Sequence, residues 1–244
     1  MRPNPAQQDG PSGVLLIDKA PDMTSHDVVA IARKALNTKK IGHCGTLDPM
    51  ATGLLMLVIG RATKIQDLLM SEDKEYEGTL TLGKATSTQD RQGEVIEEHP
   101  VPDFDAAAID AAFAGFTGNF DQIPPMVSAI KKDGVPLYKL ARKGQTIERE
   151  PRPVYVTSYK LGRIALPEVD FTVCCSKGFY VRTYAHDIGA KLGCAGHLSA
   201  LRRTRSGKFT LERAVPVADL KTAPREDLFK AMISLAEISL MRGA

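Results

Sequence analysis

One run constrains this chain more than any other: Lys40-Ile41-Gly42-His43-Cys44-Gly45-Thr46-Leu47-Asp48-Pro49-Met50-Ala51-Thr52-Gly53-Leu54-Leu55. It holds three glycines and a proline, and Asp48 is the only carboxylate between Asp27 and Asp67. The glycines allow positive φ or close backbone approach, and Asp-Pro is a turn signal in which the Asp side chain bonds a nearby backbone N–H. Just beyond, Leu54–Ile59 is apolar throughout and has the length of a buried strand. Upstream, Thr24 to Asn37 reads as a helix, with Thr24 as N-cap, Asp27 in the first turn, and Val28, Ile31, Ala32, Ala35 and Leu36 at helical spacing. The run is therefore a loop mounted between a helix and a core strand, which is a rigid base for a functional group. A turn alone accounts for an Asp before Pro, but a lone carboxylate among basic residues also suits a nucleophile or base working on an anionic polymer.

The rest of the chain reads as alternating strands and peripheral helices. Gly13–Asp18 is an apolar strand, Thr63–Met70 a short helix, and Glu75–Leu82 and Glu94–Glu98 are strands flanking a loop over 83–93. Asp105–Ala114 is an Ala-rich helix, Pro124-Pro125 enforces an extended stretch, and Leu137–Lys143 is a short helix. Pro153–Leu161 alternates, as do Val169, Phe171, Val173 and Cys175, and Arg182–Leu192 turns helical. A last helix is expected from about Arg225 to Met241, with no internal repeat. Long strands with peripheral helices indicate an α+β fold.

Composition sets the surroundings. With 244 residues and 43% hydrophobic content, the chain can build a substantial core. The net charge of +3 hides a segregation: residues 33–64, 131–152 and 174–213 carry +5, +4 and +6, which leaves −12 for the remainder. If these stretches converge they form a face that neutralises phosphates. Scattered solvated cations are the alternative. Cys44, Cys174, Cys175 and Cys194 lack metal-ligand spacing, and neighbours in an alternating strand face opposite ways, so they read as idle thiols of a reducing cytosol. No segment approaches the ~20 apolar residues of a membrane span.

From Gly42 to Gly53 the run resembles the signature loop of the TruB family of tRNA pseudouridine synthases, roughly Gly-His-x-Gly-Thr-Leu-Asp-Pro-x-Ala-Thr-Gly, with Cys44 where the family more often has Thr. Three more blocks resemble it in order: Lys74-Glu75-Tyr76 with Gly83 through Asp90, Gln122 through Lys131 with Gly134 through Arg142, and Cys174 through Arg182 continuing to Leu201-Arg202-Arg203. Ser87 stands where the family more often has an acid. The resemblance covers about residues 13 to 213.

It implies a pseudouridine synthase fold, with a curved, mixed, largely antiparallel sheet flanked by helices, and isomerisation of uridine-55 in the T loop of tRNA without metal or other cofactor. By the same resemblance Asp48 is the nucleophile or base, Arg182 its ion-pairing cation, Tyr76 the ring stacked on the uracil, and Tyr180 and Leu201 pocket lining. His43 fills the space of a flipped base, and Lys19 is a phosphate or active-site contact. Lys131, Arg142, Arg202, Arg203 and Arg205 are expected to touch the RNA backbone. The expected organisation is a disordered tail over 1–12, a catalytic domain over 13–213 and a short helical extension over 214–244, without a complete PUA-type domain. A stand-alone cytoplasmic monomer is the expectation. The alternatives are a non-catalytic tRNA-binding module on the same scaffold and a synthase within a guide-RNA assembly.

Overall fold

The computed structural model describes residues 11–128, 130–132, 134–141 and 143–243, without the side chains of Lys131 and Lys132. The expected tail over 1–12 lies outside these except for Pro11 and Ser12, and Ser12 is engaged, its Oγ accepting the Arg61 N–H at 3.0 Å. The chain divides into two compact units: residues up to Lys74 together with Arg202–Ala244 form one, and Glu75–Leu201 form the other.

In the first unit the strands Gly13–Lys19 and Thr52–Ile59 pair antiparallel in unbroken register, from Gly13 opposite Ile59 to Lys19 opposite Gly53. Val14 through Ile17 and Leu54 through Ile59 are all buried, which is why both read as continuous apolar runs: both faces are covered. Ile41–Cys44 adds to Thr52–Ile59 antiparallel. The helix Ser25–Ala35 buries Ser25, Val28, Val29 and Ala32. Its start is a capping box: the Thr24 hydroxyl accepts the Asp27 N–H at 3.1 Å, and the Asp27 carboxylate accepts the Thr24 N–H at 2.8 Å. The helix expected from Thr63 is a 3₁₀ turn over Gly60–Ile65 that leads into an α-turn over Gln66–Met70.

The C-terminal segment departs from expectation. In place of one helix from Arg225 to Met241 there are two, Arg225–Lys230 and Leu235–Arg242, separated by the short strand Ile233–Ser234. Two forces break the helix. Ile233 turns inward to pair with Val14 and is 1% exposed, and Ser234 then caps the second helix by accepting the Glu237 N–H at 3.1 Å. Val215–Pro216 pairs parallel with Ile17–Asp18, and Ile233 and Ile238 pack with Val14, Leu16, Leu54, Met56 and Val58. This segment is thus built into the first unit's core.

In the second unit the strands Glu168–Cys175 and Arg152–Ala165 pair antiparallel, and Arg152–Val156 pairs on its other edge with Gly118–Gln122. Cys175 is buried and Cys174 partly exposed, as alternation requires. The helices Ala106–Ala114 and Val181–Lys191 supply Phe113 and Tyr184 to an aromatic cluster with Phe171 and Phe179. Asp105 caps the first of these helices. Among the strands that the sequence pattern does not announce are Gly118–Gln122 and Gly196–Ser206. The latter buries His197, Arg203 and Ser206 beside Leu198 and Leu201, and these polar residues interrupt the apolar period that marks a strand. No helix is long and apolar enough to cross a membrane among the described residues.

Candidate active site

Asp48 sits at the head of a tight turn, its carbonyl accepting the Ala51 N–H at 3.0 Å with Pro49 next in the chain. The turn is anchored on both sides of the carboxylate. Before it, the buried Ser25 hydroxyl accepts the Leu47 N–H at 2.9 Å and donates to the Leu47 carbonyl at 3.1 Å, holding both edges of one residue. After it, Lys19 donates to the Pro49 carbonyl at 3.2 Å. Leu47, Met50 and Ala51 point into the core, so Asp48 is a partly exposed side chain on a buried frame.

Lys19 is 1% exposed, and its other protons go to the Ala20 carbonyl at 2.9 Å and the Met23 carbonyl at 2.7 Å. Its three protons are thus all spent on main-chain acceptors inside the fold. Burial pushes its ammonium down to about 8, against the pull of the Asp48, Asp22 and Asp27 carboxylates.

Adjacent arginines in the strand Gly196–Ser206 face opposite ways. Arg202 forms a two-pronged pair with Asp18, Nη1–Oδ1 3.0 Å and Nη2–Oδ2 2.7 Å, at a half-buried position. Arg203, expected among the RNA contacts, is 1% exposed and reaches no solvent; Nε donates to the Leu54 carbonyl at 2.7 Å and Nη2 to the Gly45 carbonyl at 3.1 Å. Arg205 donates to the Gly207 carbonyl at 3.2 Å. Lys131 lies in a two-residue strand paired with Val135–Pro136, and Arg142 falls outside the described residues.

His43 lies on the strand leading into the loop. Its ring meets that of His26 edge-on at 5.1 Å between centroids, and its Nε2 is buried without a hydrogen-bond partner among the described residues. Burial lowers its pKa against a backbone hydrogen bond that raises it, and the neighbouring His26 and Arg203 act in the same direction as burial.

The second unit carries the other expected residues. Arg182, in the first turn of its helix, is 3% exposed, which excludes a solvated helix-start cation. Nη1 donates to the Thr88 carbonyl and Nη2 to the Val127 carbonyl, both at 2.8 Å, and Nε lies 3.7 Å from the Asp90 carboxylate. Asp90 is itself held by the Thr88 hydroxyl at 2.6 Å and the Gln92 N–H at 3.0 Å. Between them Gln89 adopts φ +63, and its side-chain carbonyl accepts the Thr183 hydroxyl at 2.7 Å. Tyr180 has its peptide gripped by the buried Gln122 amide, N–H to Oε1 at 2.8 Å and Nε2 to carbonyl at 3.1 Å. Tyr76 is partly exposed on its strand, and Leu201 is buried.

Sequence reasoning assigned no role to Ser25, Asp90 or Gln122. Asp90 and Gln122 stood inside quoted motifs, and Ser25 carried a weak signal as a serine on an otherwise apolar helix face.

The arrangement defines a class, and the comparisons agree with it. Solved structures with this fold include "Crystal Structure of a Cbf5-Nop10-Gar1 Complex", at 30% identity and TM-score 0.72 over 96% of this chain and 63% of that one. Another is "Structure of H/ACA RNP bound to a substrate RNA containing 2'-deoxyuridine", at 30% identity and TM-score 0.67 over 91% of this chain and 58% of that one. The α+β fold, with an Asp-bearing loop between two strands of a mixed, mostly antiparallel sheet, is that of a pseudouridine synthase. Residues 33–181 match the TruB family pseudouridylate synthase N-terminal domain, and residues 182–238 match the tRNA pseudouridylate synthase B C-terminal domain. The tRNA pseudouridine synthase B of Opitutus terrae is 58% identical over 91% of this chain and 92% of its own length, and that of Syntrophotalea carbinolica is 46% identical over 93% and 74%. The chain belongs to the TruB family of pseudouridylate synthases.

Proposed function

We propose that this enzyme converts uridine-55 in the T loop of tRNA to pseudouridine. The reaction breaks the bond from the ribose C1′ to N1 of uracil, turns the base, and forms a bond from C1′ to C5; the proton leaving C5 is balanced by one gained at N1. No electrons are exchanged. The protein must hold a nucleophile or base against the nucleoside and retain the detached ring.

Asp48 takes the first task, and the observation that carries this reading is the double anchoring of its loop. Ser25 grips Leu47 and Lys19 grips Pro49, so the carboxylate has little freedom other than its own χ angles. Such a frame matches what chemistry demands of a catalytic group and exceeds what a turn requires. Tyr76 stacks on the uracil, Tyr180 and Leu201 line the pocket, and Arg182 supplies the cation that answers the Asp48 charge. His43 occupies the space of the flipped nucleotide. Arg202 and Arg205 are assigned contacts to the RNA backbone.

The enzyme works alone, as a cytoplasmic monomer on free tRNA; a relative named for tRNA is matched over 92% of its length. The test is direct. Purified protein is incubated with unmodified tRNA, and new pseudouridine is mapped at nucleotide resolution; one new site at position 55 is expected. Folded protein that binds tRNA and modifies no position would make the chain a binding module.

A further inference from the structure

Arg203 is among the largest fully buried side chains of the protein. A buried guanidinium ordinarily sits against a carboxylate, because an unpaired charge away from water is costly. None lies within ion-pairing distance of Arg203 among the described residues. Its Nε–Nη2 edge instead donates to two backbone carbonyls nine positions apart, Leu54 at 2.7 Å and Gly45 at 3.1 Å. Those carbonyls bracket the Asp48 loop.

Two glycines of the loop, both at left-handed φ, close against this side chain and its backbone. Gly53 stands opposite Arg203 in a parallel ladder, and a Cβ there would fall 2.3 Å from the Arg203 carbonyl oxygen. Gly45 adopts φ +77, and a Cβ there would lie 3.1 Å from Arg203 Nη1. The loop start, the loop end and the strand carrying Arg203 thus close on one planar group. Its fork geometry lets one residue hold two acceptors, which a lysine ammonium on a flexible stem does not reproduce.

We infer that Arg203 is a positioning residue for Asp48, tying the two ends of the catalytic loop together so that the carboxylate stands where the nucleoside needs it. The inference rests on Asp48 being the reacting group.

Arg203→Lys and Gly45→Ala test it independently. The first keeps the charge and loses the fork; the second keeps the arginine and crowds its guanidinium. Single-turnover pseudouridine formation at saturating tRNA, tRNA affinity and its salt slope are measured on both, with the wild type and Asp48→Asn alongside. Displacing a reacting group by about 1 Å lowers a rate on the order of 100-fold, and a loss of that order is expected in both variants. Affinity should stay within about threefold and the salt slope unchanged, because a buried arginine neutralises no phosphate. A wild-type rate in Arg203→Lys, or a slope flattened by about 0.7–0.9, overturns the inference. Loss of folding in both variants also overturns it, assigning Arg203 to stability alone. A wild type without activity, or a fully active Asp48→Asn, defeats the functional reading instead.

Discussion

The Asp48 loop and the Arg182 cluster both hold buried cations, and they hold them differently. Around Asp48, Lys19 and Arg203 spend their protons on main-chain carbonyls: Ala20, Met23 and Pro49 for one, Gly45 and Leu54 for the other. Around Arg182, the guanidinium takes two carbonyls and also a carboxylate, Asp90, which is 4% exposed. Removing a cation from the first site frees backbone and loosens a loop. Removing it from the second also leaves an acid buried without its counter-charge, so geometry is at stake in one region and charge balance in the other.

The sharpest test of that contrast is Asp48→Asn, which keeps the shape and removes the proposed reacting group. Turnover should fall to background with denaturant stability within about 0.5 kcal/mol of wild type, as for a substitution away from the core, and tRNA affinity should be similar or slightly greater. A variant that turns over at more than a small fraction of the parent rate would show that the loop frames something other than the catalyst.

Arg182→Met should lose turnover as well, and should lose stability on the order of 3–5 kcal/mol, the cost of a buried charge stripped of its partner. Adding Asp90→Asn should recover part of that stability without recovering turnover. If the single variant is as stable as wild type, the two regions do not differ in the way drawn above.

Tyr76→Leu is next in size. Loss of one base stack costs about 1–3 kcal/mol of binding, and Tyr76→Phe should escape most of it because the ring face is retained. Equal damage from both substitutions would point to the hydroxyl.

The smallest effect is a slope. With the Lys19 ammonium lowered by burial from 10.5 to about 8, the unfolded chain binds one proton more than the folded chain between those two pH values. Stability therefore gains with rising pH across that window. Denaturant melts from pH 8 to 10.5 should show this gain in wild type and not in Lys19→Met; parallel curves would mean that Lys19 is not desolvated.

Much of this was legible in the linear chain because it is local. The Thr24–Asp27 capping box needs only residues three apart, and the order Gly45, Asp48-Pro49, Gly53 announces a constrained loop before any fold is known. Period-2 alternation marked Glu168–Cys175 because one of its faces is buried and apolar. The strand Gly196–Ser206 stayed hidden because Leu198 and Leu201 share its buried positions with histidine, arginine and serine, whose partners lie far away in sequence. Arg202 and Arg203 looked alike for the same reason, two neighbouring cations in a basic stretch. The C-terminal helix was overextended because the break at Ile233 depends on pairing with Val14, more than two hundred positions away.

The sequence by itself therefore determined the helix start at Thr24 and the loop that presents Asp48, which rest on steric and capping rules acting over a few residues, and carried the family as a resemblance across four ordered blocks. Only the tertiary structure decided which basic side chains face water and which tie backbone segments together. Burial is a property of the surroundings, and a guanidinium one position from another is turned by the pleat of the strand toward Asp18 in one case and toward Gly45 and Leu54 in the other.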